Sequence, residues 1–265
     1  MIDRNNLYCS ENNLMKILRY CLQDKERVYP VNISGEITTE IISAILDDKE
    51  WMDSSGKGDP PPDFYNEKYM MMAEMMSVSD NEFVDGKRVI NPTAAKMSEM
   101  FYELETRGAL DGMNENVMIG INAITDLPTE KDHNYSFYKN SFNRVIRKHV
   151  QQIAAYRRNH PNKKLIFIIF DESTAYFESK DRVKPERLEK GQMVAGYPHF
   201  WYDDEGLIRS FMNKGIDYIV WFTPYKHAEM AGLGLFPFPV VCIFDGSKDV
   251  ESRHYQKERM ISSEI

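Results

Sequence analysis

The sequence predicts an α/β protein built on a mixed sheet flanked by helices, and three observations carry that expectation. Amphipathic stripes at helical spacing alternate along the chain with short, continuously apolar runs. One of these runs, KKLIFIIF from Lys163 to Phe170, directly follows the clearest amphipathic helix, as a strand covered on both faces does. Two later runs, Ile216–Phe222 and Pro239–Phe244, have the same character and are expected to join it.

The totals bound the problem. The 265 residues are 42% hydrophobic and 28% charged, the balance of a chain that folds. The expected organisation is a single α/β domain over residues 1–250 followed by a polar tail, 251–265. The longest apolar stretch, Leu233–Phe244, is broken by Pro237 and Pro239 and is shorter than the ~20 residues of a spanning helix, so no membrane span is expected. Cys9, Cys21 and Cys242 form no CxxC pair, and the opening MIDRNNLYCSENNL lacks the pattern of a secretory signal. Both point to reduced thiols and a cytoplasmic setting. A net charge of −8 argues against sequence-independent wrapping of nucleic acid, which needs clustered cations, but leaves room for a local basic face.

The elements follow in order. Ser10 can cap a helix running to Asp24, with Leu14, Ile17, Leu18, Cys21 and Leu22 on one face. Ser34 can cap a second, striped by Ile37, Ile41, Ile42 and Ile45, with Glu36 and Glu40 one turn apart on another face. SSGKGDPPPD is a loop by composition. After it, Asp63-Phe-Tyr and YMMMAEMMSV read as two strands around a tight turn, although the methionines suit a helix from Tyr69 to Met76 equally well. Asp85-Gly86 marks a hairpin, and Thr93–Arg107 reads as a helix stopped by Gly108. NVMIGINAI leans to strand. From Ser141 to Asn159 the helical stripe is unmistakable, holding Phe142, Val145, Ile146, His149, Val150, Ile153 and Ala154. His149 on that stripe reads as a satisfied core residue. A short helix is expected around Leu207–Met212, and the last twenty residues lack a core pattern.

No Walker loop, GxGxxG, HExxH or GxSxG occurs, which removes nucleotide-loop, zinc-protease and esterase readings. The segment PPPDFYNEKYMMMAEMM places Asp63 and, eleven positions later, Glu74 on consecutive extended segments. A hairpin would bring their carboxylates to one sheet edge, where Mg²⁺ takes carboxylates and waters. With Pro62-Asp63 and Glu74 in place, this stretch resembles the PD-(D/E)XK nuclease superfamily, and so does the coarse element order over residues 34–170. The resemblance implies a restriction endonuclease-like core with additional C-terminal α/β elements over 171–250. It also implies a Mg²⁺-dependent phosphodiesterase acting on nucleic acid. Asp63 and Glu74 would be the metal ligands, Glu36 or Glu40 the helix acid, and Lys87, Lys68 or Lys57 a stand-in for the motif lysine, because position 76, where the lysine belongs, is Met76.

Other constellations read differently. Arg144, Arg147, Lys148, Arg157 and Arg158 lie off the apolar stripe of their helix and could track phosphates; a solvated face is the plainer reading. Asp171-Glu172, Lys226-His227 and Asp245 each follow a strand, so an α/β enzyme with its pocket at the strand carboxyl ends is an alternative. A non-catalytic binding or assembly protein, with every one of these acids structural, is the other.

Overall fold

The computed structural model describes residues 10–55, 61–85, 87–89, 92–109, 111, 133–180, 195–224, 226 and 238–262. In chain order these form α1 (Glu11–Gln23), β1 (Val28–Val31), α2 (Gly35–Leu46), β2 (Trp51–Asp53), β3 (Phe64–Asn66), β4 (Met71–Val78), β5 (Glu82–Val84), β6 (Lys87–Val89) and α3 (Pro92–Thr106). There follow α4 (Tyr135–Val150), α5 (Ile153–Asn159), β7 (Lys164–Asp171), β8 (Tyr176–Ser179), β9 (Gly196–Pro198), α6 (Glu205–Ile208), β10 (Tyr218–Phe222), β11 (Val241–Asp245) and β12 (Met260–Ser262). The segment NVMIGINAI lies outside the described residues.

Seven strands form one mixed sheet in the order β1-β11-β10-β7-β4-β3-β2. β3 runs antiparallel to both β2 and β4, β4 and β10 run parallel to β7, and β11 turns back against β10. β1 closes the far edge by pairing parallel with β11, Val28 opposite Val241. The expected mixed sheet flanked by helices is present.

The ambiguous methionine segment is strand. Eight consecutive pairs, Met71 with Lys164 through Val78 with Asp171, bind β4 to β7, and a single helical turn could not supply that ladder. Alternation then sorts its side chains. Met71, Ala73 and Met75 pack with Leu14, Leu18, Ile41 and Ile45 of α1 and α2 on one face of the sheet. Met72 and Met76 pack with Tyr138, Phe142 and Ile146 of α4 on the other. Glu74 therefore shares the α4 face. Flexible thioethers fill the irregular space between a twisted sheet and its helices.

Capping explains the helix starts. The Ser10 and Ser34 hydroxyls accept from the amides of Asn13 and Ile37. α4 begins six residues ahead of Ser141, because the Asn134 side chain accepts from Ser136 and Phe137. It also stops at Val150, and α5 resumes at Ile153 as a separate helix.

The C-terminal segment departs from its polar composition. β12 pairs antiparallel with β8, in a three-stranded sheet with β9, while Tyr255 and Ile261 are buried. The polar tail expected from the sequence is docked over its described part, residues 251–262, its apolar residues too sparse to show a period. Cys21 and Cys242 are buried free thiols, and burial pushes both above the usual thiol range. Among the described residues no helix is long and apolar enough to cross a membrane.

Candidate active site

β3 and β4 form a tight antiparallel pair in which Phe64 faces Ala73, Tyr65 faces Met72 and Asn66 faces Met71. The Asn66 side chain accepts from the Tyr69 amide and closes the turn between them. One step beyond the last pair stand Asp63 and Glu74, opposite each other. Here the ladder ends, since Pro62 has no N–H to give. The Met75 amide donates instead to Asp63 Oδ2 at 2.8 Å, which fixes that carboxylate against the edge of β4.

Glu74 projects toward α4. Its Oε1 lies 2.7 Å from Nδ1 of His149, and the Tyr156 hydroxyl of α5 sits 3.5 Å from the same nitrogen. Glu74 Oε2 is buried and has no hydrogen-bond partner among the described residues. Glu74, His149 and Tyr156, from β4, α4 and α5, thus meet at one place, and Asp63, just ahead of β3 and partly buried, feels the Glu74 charge.

The electrostatics record that crowding. Burial first, and then the negative charge of Glu74, push the Asp63 carboxyl up to about 7, against the lowering effect of the Met75 amide. Burial and the same Glu74 charge raise the Tyr156 hydroxyl above the usual phenol range. Two carboxylates this close favour a shared proton or a cation between them. Among the described residues neither Asp63 Oδ1 nor Glu74 Oε2 accepts a hydrogen bond, so the pair fits a hard cation that completes its shell with water. Among the described residues no group of three or more His, Cys, Asp or Glu is arranged as a metal cage.

The other expected members do not join. Glu36 and Glu40 are exposed on α2, whose buried side Ile41, Ala44 and Ile45 packs on the opposite face of the sheet. Lys87 is exposed on the separate β5–β6 hairpin. Lys68 is paired with Asp47, and Lys57 lies outside the described residues. Met76, at the position of the motif lysine, is buried in the core under α4. Sequence reasoning placed His149 on the buried stripe but had no means of pairing it with Glu74, and it passed over Tyr156 entirely.

The strand-end pocket is corrected by strand direction. Because β11 is antiparallel to β10, Asp245 lies opposite Tyr218, at the other end of the sheet from Asp171. There it accepts from the Ser247 amide and hydroxyl and pairs with Lys248. Asp171 and Lys226 are fully buried and bonded to each other at 2.8 Å. Asp171 also receives the Tyr138 hydroxyl, the Trp221 indole N–H, and the amide and hydroxyl of Ser173. That carboxylate has no capacity left for a ligand. The amide of Glu172 donates to the Val78 carbonyl, and His227 lies outside the described residues.

Arg157 is likewise structural, spending its guanidinium on the carbonyls of Lys163 and Gly215 and on Asp217. Arg144, Arg147, Lys148 and Arg158 are exposed. Comparison with known proteins gives no match: no family model, no curated protein and no solved structure matches the chain.

Proposed function

We propose that this chain is a metal-dependent phosphodiesterase acting on nucleic acid, built on a restriction endonuclease-like core. The observation that carries the reading is the Asp63–Glu74 pair, two neighbouring carboxylates where the β3–β4 ladder ends inside the sheet, each with an oxygen that accepts no hydrogen bond among the described residues. The succession α2, β2, β3, β4, α4, β7 supports it, interrupted by the β5–β6 hairpin, α3 and α5, with β2–β3–β4 antiparallel and β7 parallel beside β4. Asp63 Oδ1 and Glu74 Oε2 would hold Mg²⁺, which when bound supplies charge neutralisation for a phosphate and a more acidic water. His149 would orient the Glu74 carboxylate through its 2.7 Å contact, as partners of ligating groups do. Met76 leaves the motif lysine without a successor among the lysines described, which sets this chain apart from the motif it resembles.

Calorimetric titration of Mg²⁺ or Mn²⁺ into wild type and Asp63→Ala tests the reading. Saturable heat lost in the variant is the expected result, and equal traces would overturn it. Labelled DNA and RNA incubated with the metal then read the chemistry. Heat without cleavage would reduce the assignment to metal-dependent binding.

A further inference from the structure

The outer face of α4 presents a line of polar side chains. Asn140, Arg144, Arg147, Lys148 and Gln151 recur at helical steps of three and four, a stripe of about 16 Å at 1.5 Å per residue. With Asn143 they line an open groove of about 380 Å³. The guanidinium of Arg144 lies 3.5 Å from the centre of the Phe83 ring of β5, which holds its plane steady beside the groove.

What marks this groove is three neighbouring cations in one lining. The chain carries a net −8, and several of its other cations are held by carboxylates: Arg19 by Asp48, Lys68 by Asp47, Arg157 by Asp217, Lys163 by Glu67, Lys226 by Asp171. Among the described residues Arg144, Arg147 and Lys148 have no carboxylate within ion-pair distance, although acids are in excess. Three neighbouring cations repel one another unless an anion spans them.

We propose that this groove binds the phosphodiester backbone of an extended single polynucleotide strand. Arg144, Arg147 and Lys148 each meet a phosphate, and the amides of Asn140, Asn143 and Gln151 bond to sugar and base edges. The Asn143 amino group is committed to the carbonyls of Lys139 and Gly206, so this residue offers its oxygen. Three cations are fewer than the roughly six to ten phosphate contacts of a strong duplex binder. The groove is concave and has no apolar side chain in its lining, which does not suit a lipid surface. The groove supplies the partner on which the Asp63–Glu74 pair would act and in that role rests on the preceding reading, but binding itself requires no metal.

The test is fluorescence anisotropy with a labelled single-stranded oligonucleotide, in DNA and RNA forms, with EDTA present. Wild type is expected to bind, and affinity should fall about twentyfold between roughly 50 and 200 mM salt, the dependence of three phosphate contacts on a single strand. Arg147→Glu/Lys148→Glu should lose at least about tenfold. Both side chains are exposed, and a thermal melt confirms that the variant folds. Arg144→Gln, which keeps bulk over Phe83, should lose less. No binding at low salt would overturn the proposal, as would wild-type affinity in the double variant. Preference for anionic phospholipid vesicles or for a polyglutamate peptide would also overturn it. Oligonucleotide binding in EDTA by a wild-type protein that gives no Mg²⁺ heat would sink the metal reading alone.

Discussion

Asp63 and Asp171 lie on the α4 side of the same sheet, one at the start of β3 and the other at the end of β7, and their surroundings differ in kind. Asp171 is met by a lysine, a tyrosine, a tryptophan and a serine, so its charge is matched and every lone pair used. Asp63 is met by one amide and by another carboxylate. The first arrangement holds the sheet to its helix; the second stores an imbalance that only a proton or a cation removes. A matched buried acid is architecture, and a mismatched, partly buried one is a candidate for chemistry.

The largest expected effect breaks the matched site. Lys226→Met should destabilise the protein by about 3–5 kcal/mol, because it leaves a fully buried carboxylate without its cation. Urea denaturation measures it, and adding Asp171→Leu should recover part of the loss. A cost below about 1 kcal/mol would mean that Asp171 is solvated and the contrast false.

Next comes pH. The folded-state value of Asp63, about 7, is above that of the unfolded chain, so the folded state holds the proton more tightly. Its contribution to stability is complete below the unfolded value and is lost as pH rises toward 7. Partial exposure reduces the full shift to roughly 2 kcal/mol between pH 4 and 8. Asp63→Asn should flatten that slope, read from urea midpoints across the range. Asp204 gives the opposite sign. Burial acts upward on its carboxyl, but hydrogen bonds from His199 and Tyr135 outweigh it and hold the carboxyl below the usual range. Its contribution is present at neutral pH and lost on acidification through its folded value, so Asp204→Asn should flatten the acid limb instead.

Smaller effects sharpen the comparison. His149→Ala removes the one hydrogen bond described for Glu74 Oε1 and should cost about 1 kcal/mol. Smallest of all, Lys248→Ala exposes only the half-solvated Asp245 pair at the other sheet end and should stay within about 0.5 kcal/mol. An equal cost for these two substitutions would mean that the contact under α4 is no more consequential than a surface pair.

Much of this architecture could be read from local pattern. Ser10 and Ser34 announced their helices, and the apolar runs announced β7, β10 and β11, because capping and periodicity act within a few residues. β1, β2, β8, β9 and β12 could not be read, since three- and four-residue strands barely complete one alternation and these lack the turn signals that marked β3, β5 and β6. The carboxylate pair was legible as a spacing, yet its meaning hung on whether Tyr69–Met76 was helix or strand, which pairing with β7 decides. The direction of β11 has no local signature at all, and the strand-end pocket failed there. His149 with Glu74 and Lys226 with Asp171 join residues far apart in sequence, and no window of the chain contains both partners.

The pairing of β1 with β11 joins positions 28–31 to 241–244 and therefore has a consequence in time. Such a contact has very high sequence separation, and topologies of that kind fold slowly. On a ribosome adding about 5–20 residues per second, β1 emerges roughly ten to forty seconds before its neighbour exists. Throughout that interval the nascent chain carries β1 without its partner, and the sheet reaches its full width only once β11 has been made.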